Sequence, residues 1–429
     1  MDVAAHLPGG VSEAEPIHRP AAPGVPVRAA EQEHDDEDEP LPPPGSPEEA
    51  AGAHAIEDPA GAMRSFYAAL AATDARQGGA VTRIVHYGDS ILDADLITGV
   101  MRRRLQKRFG DAGHGFVLGG TPWPGYRHWD VRHGTRGHWT VSRSTNSPVA
   151  DGMYGIGGVA FRSAAKGATV WFGTDPQGEV GRAASRAEIH FLRRPGGGDL
   201  EVVGPSGVPV LLHTQSDAPV PGVHAIQTPD GPVRIEARAG GAGEVRVFGA
   251  VLERDGPGIV YDALNINGAR ARILLRFDPA HWAESLRARD LDLVIFNFGI
   301  NESEADHLPM GPYEEILHTL ARRVRTAVPD RSCLFVGPMD RAGRDAMGRM
   351  RTRPIIRRLR DAQREVALAE GCAFWDAMAA MGGDDASVRW FRLGLVGGDF
   401  THVTPRGGVK LADLLYRALL SGYYGSRSQ

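Results

Sequence analysis

Along the second half of the chain, apolar positions alternate between two rhythms. Ile259-Val260-Tyr261-Asp262 is a short apolar run that leads to Asn267-Gly268, and residues 269–277 then take a helical pattern. Leu291 to Gly299 is nearly continuous in apolar residues, the signature of a strand buried on both faces. Tyr313, Ile316, Leu317, Leu320 and Val324 recur at helical spacing, followed by a strand at Leu334, a helix over about 352–369 and a strand at Phe374. Thr404-Pro405 is a cap and first-turn pair, and opens a last helix carrying Leu411, Leu414, Leu415, Ala418 and Leu419. The same rhythm occurs earlier. Met63, Phe66, Tyr67 and Leu70 predict a helix, Arg83 to Gly88 a strand, and Leu96, Ile97, Val100, Met101 and Leu105 another helix. Strands alternating with helices predict an α/β fold, a parallel sheet with helices on both faces.

Between these parts the pattern changes. From 121 to 257, five-residue apolar runs such as Ala168-Thr-Val-Trp-Phe-Gly and Glu244-Val-Arg-Val-Phe-Gly alternate with clusters of Gly, Pro, Asp and Asn. No helical period is visible there, and the spacing predicts an all-β sandwich or jelly roll inserted into the α/β chain. Gly110 to Gly120 reads as a glycine-rich loop. Residues 1–57 mix prolines with the acidic run Glu33 to Glu39 and hold almost no aromatics, which predicts a disordered tail. The expected organisation is therefore a tail (1–57), a first α/β part (58–120), the β insertion (121–257) and a second α/β part (258–429).

Composition narrows the function classes. The 429 residues are 42% hydrophobic, enough for sizeable cores, and carry a net charge of −5 without a basic block, so nothing points to nucleic acid. No apolar run approaches the ~18 residues of a membrane helix. Met1 to Gly10 lack the basic start and apolar core of a secretory signal, which taken literally means a cytoplasmic protein. With only Cys333 and Cys372 present, a disulfide framework is excluded. Each begins a predicted strand; neighbouring parallel strands would bring the sulfurs together, but two buried thiols acting as small hydrophobes is the expectation.

Candidate chemistry collects at strand ends, where α/β proteins place it. Ser90 follows Gly88-Asp89 at a strand-to-helix turn, beside free helical N–H groups; an ordinary N-cap is the alternative. Gly268 could offer its backbone N–H to a ligand, or be a plain turn residue. Asn301, past the strand at Leu291, could aim its amide at a developing oxyanion, or bond its own turn. In Asp399-Phe400-Thr401-His402 the carboxylate can fold back and fix the imidazole, leaving the other ring nitrogen free as a base.

In order and placement, these four blocks resemble the SGNH, or GDSL-like, hydrolase family, which implies a flavodoxin-like winding of the parallel sheet. They read Gly88-Asp89-Ser90-Ile91, Asn267-Gly268, Gly299-Ile300-Asn301-Glu302 and Asp399-Phe400-Thr401-His402, across residues 80–120 and 258–424. Ile91 replaces the usual leucine, and Glu302 replaces the commoner aspartate. The β insertion and that glutamate are similar to a narrower branch, the bacterial peptidoglycan O-acetylesterases and related O-acetyltransferases, whose domain is interrupted by a carbohydrate-binding-module-like β domain. The resemblance implies Ser90 as nucleophile, His402 as base, Asp399 as its orienting partner, and an oxyanion hole from Ser90, Gly268 and Asn301. It implies no metal or other cofactor. The expected substrate is an O-acylated carbohydrate or other small acyl ester, with deacetylation favoured; the resemblance suggests the cell envelope, the periplasm or secretion, against the cytoplasm that the first residues taken literally suggest, and the compartment stays open. The alternatives are acyl transfer to a glycan by the same triad, and a non-catalytic carbohydrate-binding protein.

Other signals carry less. His114, His128, His133 and His138 match neither a helical ligand pair nor a finger, and are read as loop or strand histidines. Trp123, Tyr126, Trp129 and Trp139 suit either sugar stacking or packing between the two domains.

Overall fold

In the computed structural model, which describes residues 45–428, five parallel strands form the central sheet. They are β1 (Val81–Gly88), β2 (Gly258–Asn265), β3 (Leu293–Asn297), β4 (Ser332–Val336) and β5 (Ala373–Trp375). Their order across the sheet is β2-β1-β3-β4-β5, the flavodoxin-like winding whose strand order reverses between β1 and β3. Flanking helices are α1 (Arg64–Asp74), α2 (Thr98–Phe109), α3 (Pro279–Ala288), α4 (Met310–Ala327), α5 (Pro354–Ala369) and α6 (Pro405–Arg427).

The strands are apolar along most of their length because each face feeds its own core. Ile84, Leu293, Ile295 and Leu334 pack with α1, α2 and α6. Their neighbours Val85, Tyr87, Val294, Phe296 and Phe335 pack with α3, α4 and α5. Period-two alternation in direction therefore replaces period-two alternation in polarity. As expected, α6 is capped by Thr404, whose side chain accepts from Gly407 N–H, with Pro405 in the first turn.

The middle of the chain folds as two antiparallel sheets. One contains Val220–Gly231, Ala184–Arg193, Val245–Glu253, Val159–Ser163 and Thr140–Arg143; the other contains Val131–Arg136, Thr169–Thr174, Arg234–Gly241, Asp199–Val203 and Pro209–His213. Phe172, Ile189, Leu200, Ile235 and Val247 fill the space between them. The stretch read as glycine-rich loop holds a strand, Gly113–Val117, that pairs with Val245–Glu253. Its glycines serve close approach: a Cβ on Gly115 would meet the Asp262 carboxylate and Val260. The sandwich does not stand apart, because Phe116, Tyr126, Tyr154 and Phe248 share one core with Leu264, Phe277 and Trp282. Arg289 ties them further, pairing with Asp262 on β2 at 2.8 Å and with Glu253 of the sandwich at 2.7 Å.

Three expectations need correction. Of the predicted tail, residues 1–44 lie outside the described residues, but 45–57 are packed rather than disordered. Pro47–Ala50 forms one helical turn, Ala50 is buried, Arg417 donates to the carbonyls of Glu49 and Ala51, and Glu57 bridges to Phe374. Guanidinium anchoring of main-chain carbonyls offsets what that composition cannot bury. Residues 269–277 form a 3-10 helix, Ala271–Arg276, instead of an α-helix, and α3 starts only after the Asp278 cap. Cys333 and Cys372 are a disulfide, not free thiols. The register explains it, since Leu334 pairs with Ala373 and puts the two preceding residues side by side. Among the described residues no helix is long and apolar enough to cross a membrane.

Candidate active site

All four sequence blocks lie just beyond the carboxyl ends of sheet strands or immediately before α6. β1 ends at Gly88, where a Cβ would strike Leu92 and the Asn297 carbonyl. The turn that follows is a kinked 3-10 segment, Ser90–Asp95, rather than the direct entry into a helix that the apolar spacing suggested. Asp89 caps it through Ile91 N–H, so Ser90 is not the N-cap.

His402 reaches this turn from the other end of the chain. Its Nε2 lies 3.1 Å from Ser90 Oγ, and its Nδ1 lies 2.7 Å from Asp399 Oδ2. The Asp399 contact holds the ring proton on Nδ1, leaving Nε2 to accept from the serine hydroxyl. A tight turn supports the pair: Val396 bridges Val403, and Asp399 Oδ1 accepts the N–H groups of Thr401 and His402, each at 3.0 Å. Phe400 takes a left-handed conformation (φ 54°) at its apex, an unfavourable one for an aromatic residue, and its ring packs on Phe391 at 4.6 Å. Burial pushes the Asp399 carboxyl up, but the bonds from the His402 ring and the two N–H groups outweigh it and hold the pKa below the usual value.

Gly268 has φ 72° and open space where a Cβ would stand, so backbone conformation rather than crowding calls for glycine there. The N–H groups of Ser90 and Gly268 have no partner among the described residues. Asn301 Nδ2 donates one hydrogen to Ala269 O at 2.8 Å, which orients the amide and leaves its second hydrogen available. Ser90, Gly268, Asn301, Asp399 and His402 line a single pocket of about 580 Å³. The geometry therefore unites all five residues singled out in the sequence.

Several contributors were missed. Asp93 lines the same pocket; its carboxylate accepts from Trp123 Nε1 (3.0 Å), Asn265 Nδ2 (3.2 Å) and Asn267 Nδ2 (2.8 Å), locking the serine turn to the second block and to the entry of the sandwich. Glu302, seen only as a departure from the family pattern, accepts from Ala271 N–H at 2.7 Å and joins the second and third blocks. Arg341, past the end of β4, lines the pocket too; the strand-end rule that found Ser90 could have found it. Next to the serine in the chain, Asp89 is wholly buried. Burial drives its pKa up, the Ile91 N–H pulls it down, the nearby Glu302 carboxyl raises it again, and the balance is about 8. Burial likewise raises Glu302. The aromatic group at the sandwich entry serves packing, with Trp123 and Tyr126 in the core and Trp129 and Trp139 against it. No group of three or more metal-ligating side chains occurs among the described residues; His114 and His128 are buried and His133 half-buried, with pKa values lowered by loss of solvent.

An α/β sheet of this winding with a serine, an imidazole and a carboxylate at its carboxyl edge defines an acyl-hydrolase-like architecture. Residues 229–408 match the model of the GDSL-like Lipase/Acylhydrolase family, and the protein is an ester-hydrolysing enzyme. Among solved structures, a peptidoglycan O-acetylesterase superimposes with a TM-score of 0.72 at 22% identity, over 86% of this chain and 99% of that one. That likeness establishes the shared fold. Two others are more distant: a GDSL-like lipase from Parabacteroides merdae ATCC 43184 (17% identity, 38% of this chain and 74% of that one, TM-score 0.31) and a family two carbohydrate esterase from Cellvibrio japonicus (9%, 68% and 99%, TM-score 0.28). No curated protein sequence matches the chain.

Proposed function

We propose that the protein is a serine-dependent carbohydrate O-acyl esterase that removes acetyl groups. The observation that carries this reading is the continuous relay from Ser90 Oγ through His402 to Asp399, at 3.1 and 2.7 Å. Ser90 Oγ attacks the acyl carbonyl carbon while His402 Nε2 takes the hydroxyl proton. The imidazolium so formed is stabilised by Asp399, and hands its proton to the departing sugar oxygen as the ester C–O bond breaks. Water then attacks the acyl-serine by the same proton route and releases the free acid. The Ser90 and Gly268 N–H groups and the Asn301 amide hold the tetrahedral oxyanion, each donor lowering the barrier by about 3 kcal/mol. The peptidoglycan O-acetylesterase that shares the fold supports a glycan ester as the substrate class. The division into an α/β catalytic part, 58–120 and 258–429, and an inserted sandwich belongs to the same proposal.

A fluorophosphonate probe tests the nucleophile: it is expected to label the parent protein and to leave Ser90→Ala unlabelled. A panel of acyl esters, with the acyl group tracked to water or to added glycan, separates hydrolysis from transfer. Full esterase activity in Ser90→Ala would overturn the assignment, and glycan binding without turnover of any ester would replace it with a binding protein.

A further inference from the structure

Two of the oxyanion donors sit on separate turns, Gly268 after β2 and Asn301 after β3. Two side-chain bonds join those turns. Asn301 Nδ2 donates to Ala269 O at 2.8 Å, and Glu302 Oε1 accepts from Ala271 N–H at 2.7 Å. The first bond is made by an oxyanion donor itself, whereas Glu302 does not line the serine pocket. It is buried, its Oε2 has no partner among the described residues, and burial raises its pKa against the pull of the Ala271 N–H. A carboxyl withdrawn from water with one oxygen unmatched is destabilising, so an apolar side chain would serve mere packing better. Its one contact between the turns offsets that cost. Ala271 is buried too, and its N–H stands at the start of the 3-10 segment Ala271–Arg276, among donors that find no carbonyl within the segment. Glu302 supplies the missing acceptor.

We propose that Glu302 is a positioning residue for the reaction: its bond to Ala271 sets the spacing of the Gly268 N–H and the Asn301 amide, so that both meet one oxyanion. The inference rests on the esterase reading above. Gly268 lies three residues before the anchored N–H and holds a left-handed turn (φ 72°) with open space around it, so little else fixes its backbone. The same bond accounts for the glutamate that stands where aspartate is commoner. A carboxyl one methylene shorter would fall short of Ala271 by up to about 1.5 Å, enough to leave hydrogen-bond range.

The test is steady-state hydrolysis of 4-nitrophenyl acetate by the full chain carrying Glu302→Gln, Glu302→Asp or Glu302→Leu, the last also in an Asn301→Ala background. Glutamine keeps an acceptor of the same reach and is expected to hold kcat within about threefold of the parent. Leucine removes the acceptor and is expected to lower kcat at least about tenfold with KM little changed, and aspartate to fall between. Because both sites act on one oxyanion, the loss from Glu302→Leu is expected to shrink severalfold, by at least about threefold, once Asn301 is alanine. A residue needed only for folding would instead multiply its loss with that of Asn301→Ala. Parental kcat in Glu302→Leu overturns the proposal, as does a loss undiminished in the Asn301→Ala background. If Glu302→Leu does not fold, parental kcat in Glu302→Asp overturns it. A parent that hydrolyses no ester removes the esterase reading itself, whereas an active parent with an indifferent Glu302 removes only the positioning role.

Discussion

Asp399, behind the imidazole that meets Ser90, and Asp89, the residue before Ser90 in the chain, make opposite use of the same side chain. Asp399 sits on the rim, its side chain 51% exposed, with three hydrogen bonds to its oxygens. Those bonds keep it ionised against the upward push of burial. Asp89 is fully buried; its Oδ1 accepts from Ile91 N–H at 3.0 Å, and its Oδ2 has no partner among the described residues. Burial leaves it protonated at neutral pH, with a pKa of about 8. Environment, not residue type, divides the roles. The difference also makes electrostatic sense. A negative charge beside the serine would oppose the oxyanion, whereas one behind the imidazole supports the cation formed there.

That contrast breaks most sharply in the relay. Ser90→Ala or His402→Ala is expected to lower kcat on 4-nitrophenyl acetate by roughly 10⁶-fold. Asp399→Asn is expected to lose about 10⁴-fold, because the ring proton is then free to take the wrong nitrogen. Asn301→Ala removes one oxyanion donor and should cost about 10²- to 10³-fold in kcat with KM little changed. Stability against pH reads the two aspartates with opposite signs. Asp89, raised when folded, contributes stability that is full below pH ~4 and is lost as the pH rises through about 8. Asp399, lowered when folded, contributes stability present above the ordinary carboxylate pKa and lost as the pH falls through its folded value. Urea unfolding across that range should therefore show a decline toward pH 8 that Asp89→Asn removes; an unchanged slope would mean Asp89 is ionised. The smallest effect is on turnover: Asp89→Asn, close in shape to the protonated acid, should change kcat by less than about tenfold. A loss equal to that of Asp399→Asn would abolish the distinction between the two aspartates.

The parts of this arrangement that were readable in the sequence are those set by local rules. Each strand of the parallel sheet announced itself as a largely apolar run, and Ser90, Gly268, Asn301 and His402 could be placed because strand ends position chemistry wherever they occur. What escaped depends on register or on distant partners. Cys333 and Cys372 meet only because β4 and β5 are neighbours in a particular register. The strand Val220–Gly231 is exposed along much of its length and contains Pro221, Gly222 and Pro229, so nothing in its own residues separates it from a loop. The kink at Ala94 (φ 57°) is imposed by Asp93 reaching toward Trp123, Asn265 and Asn267.

Ser90 and His402 stand 312 positions apart, and β1 finds its two partners, β2 and β3, only after the sandwich has been made. A ribosome delivers Ser90 long before the histidine that it meets in the folded pocket. On the proposed relay, the emerging polypeptide carries an inert hydroxyl until His402 has been added, and any product cut short before it is chemically silent. Hydrolytic competence would then double as a certificate that translation had passed His402.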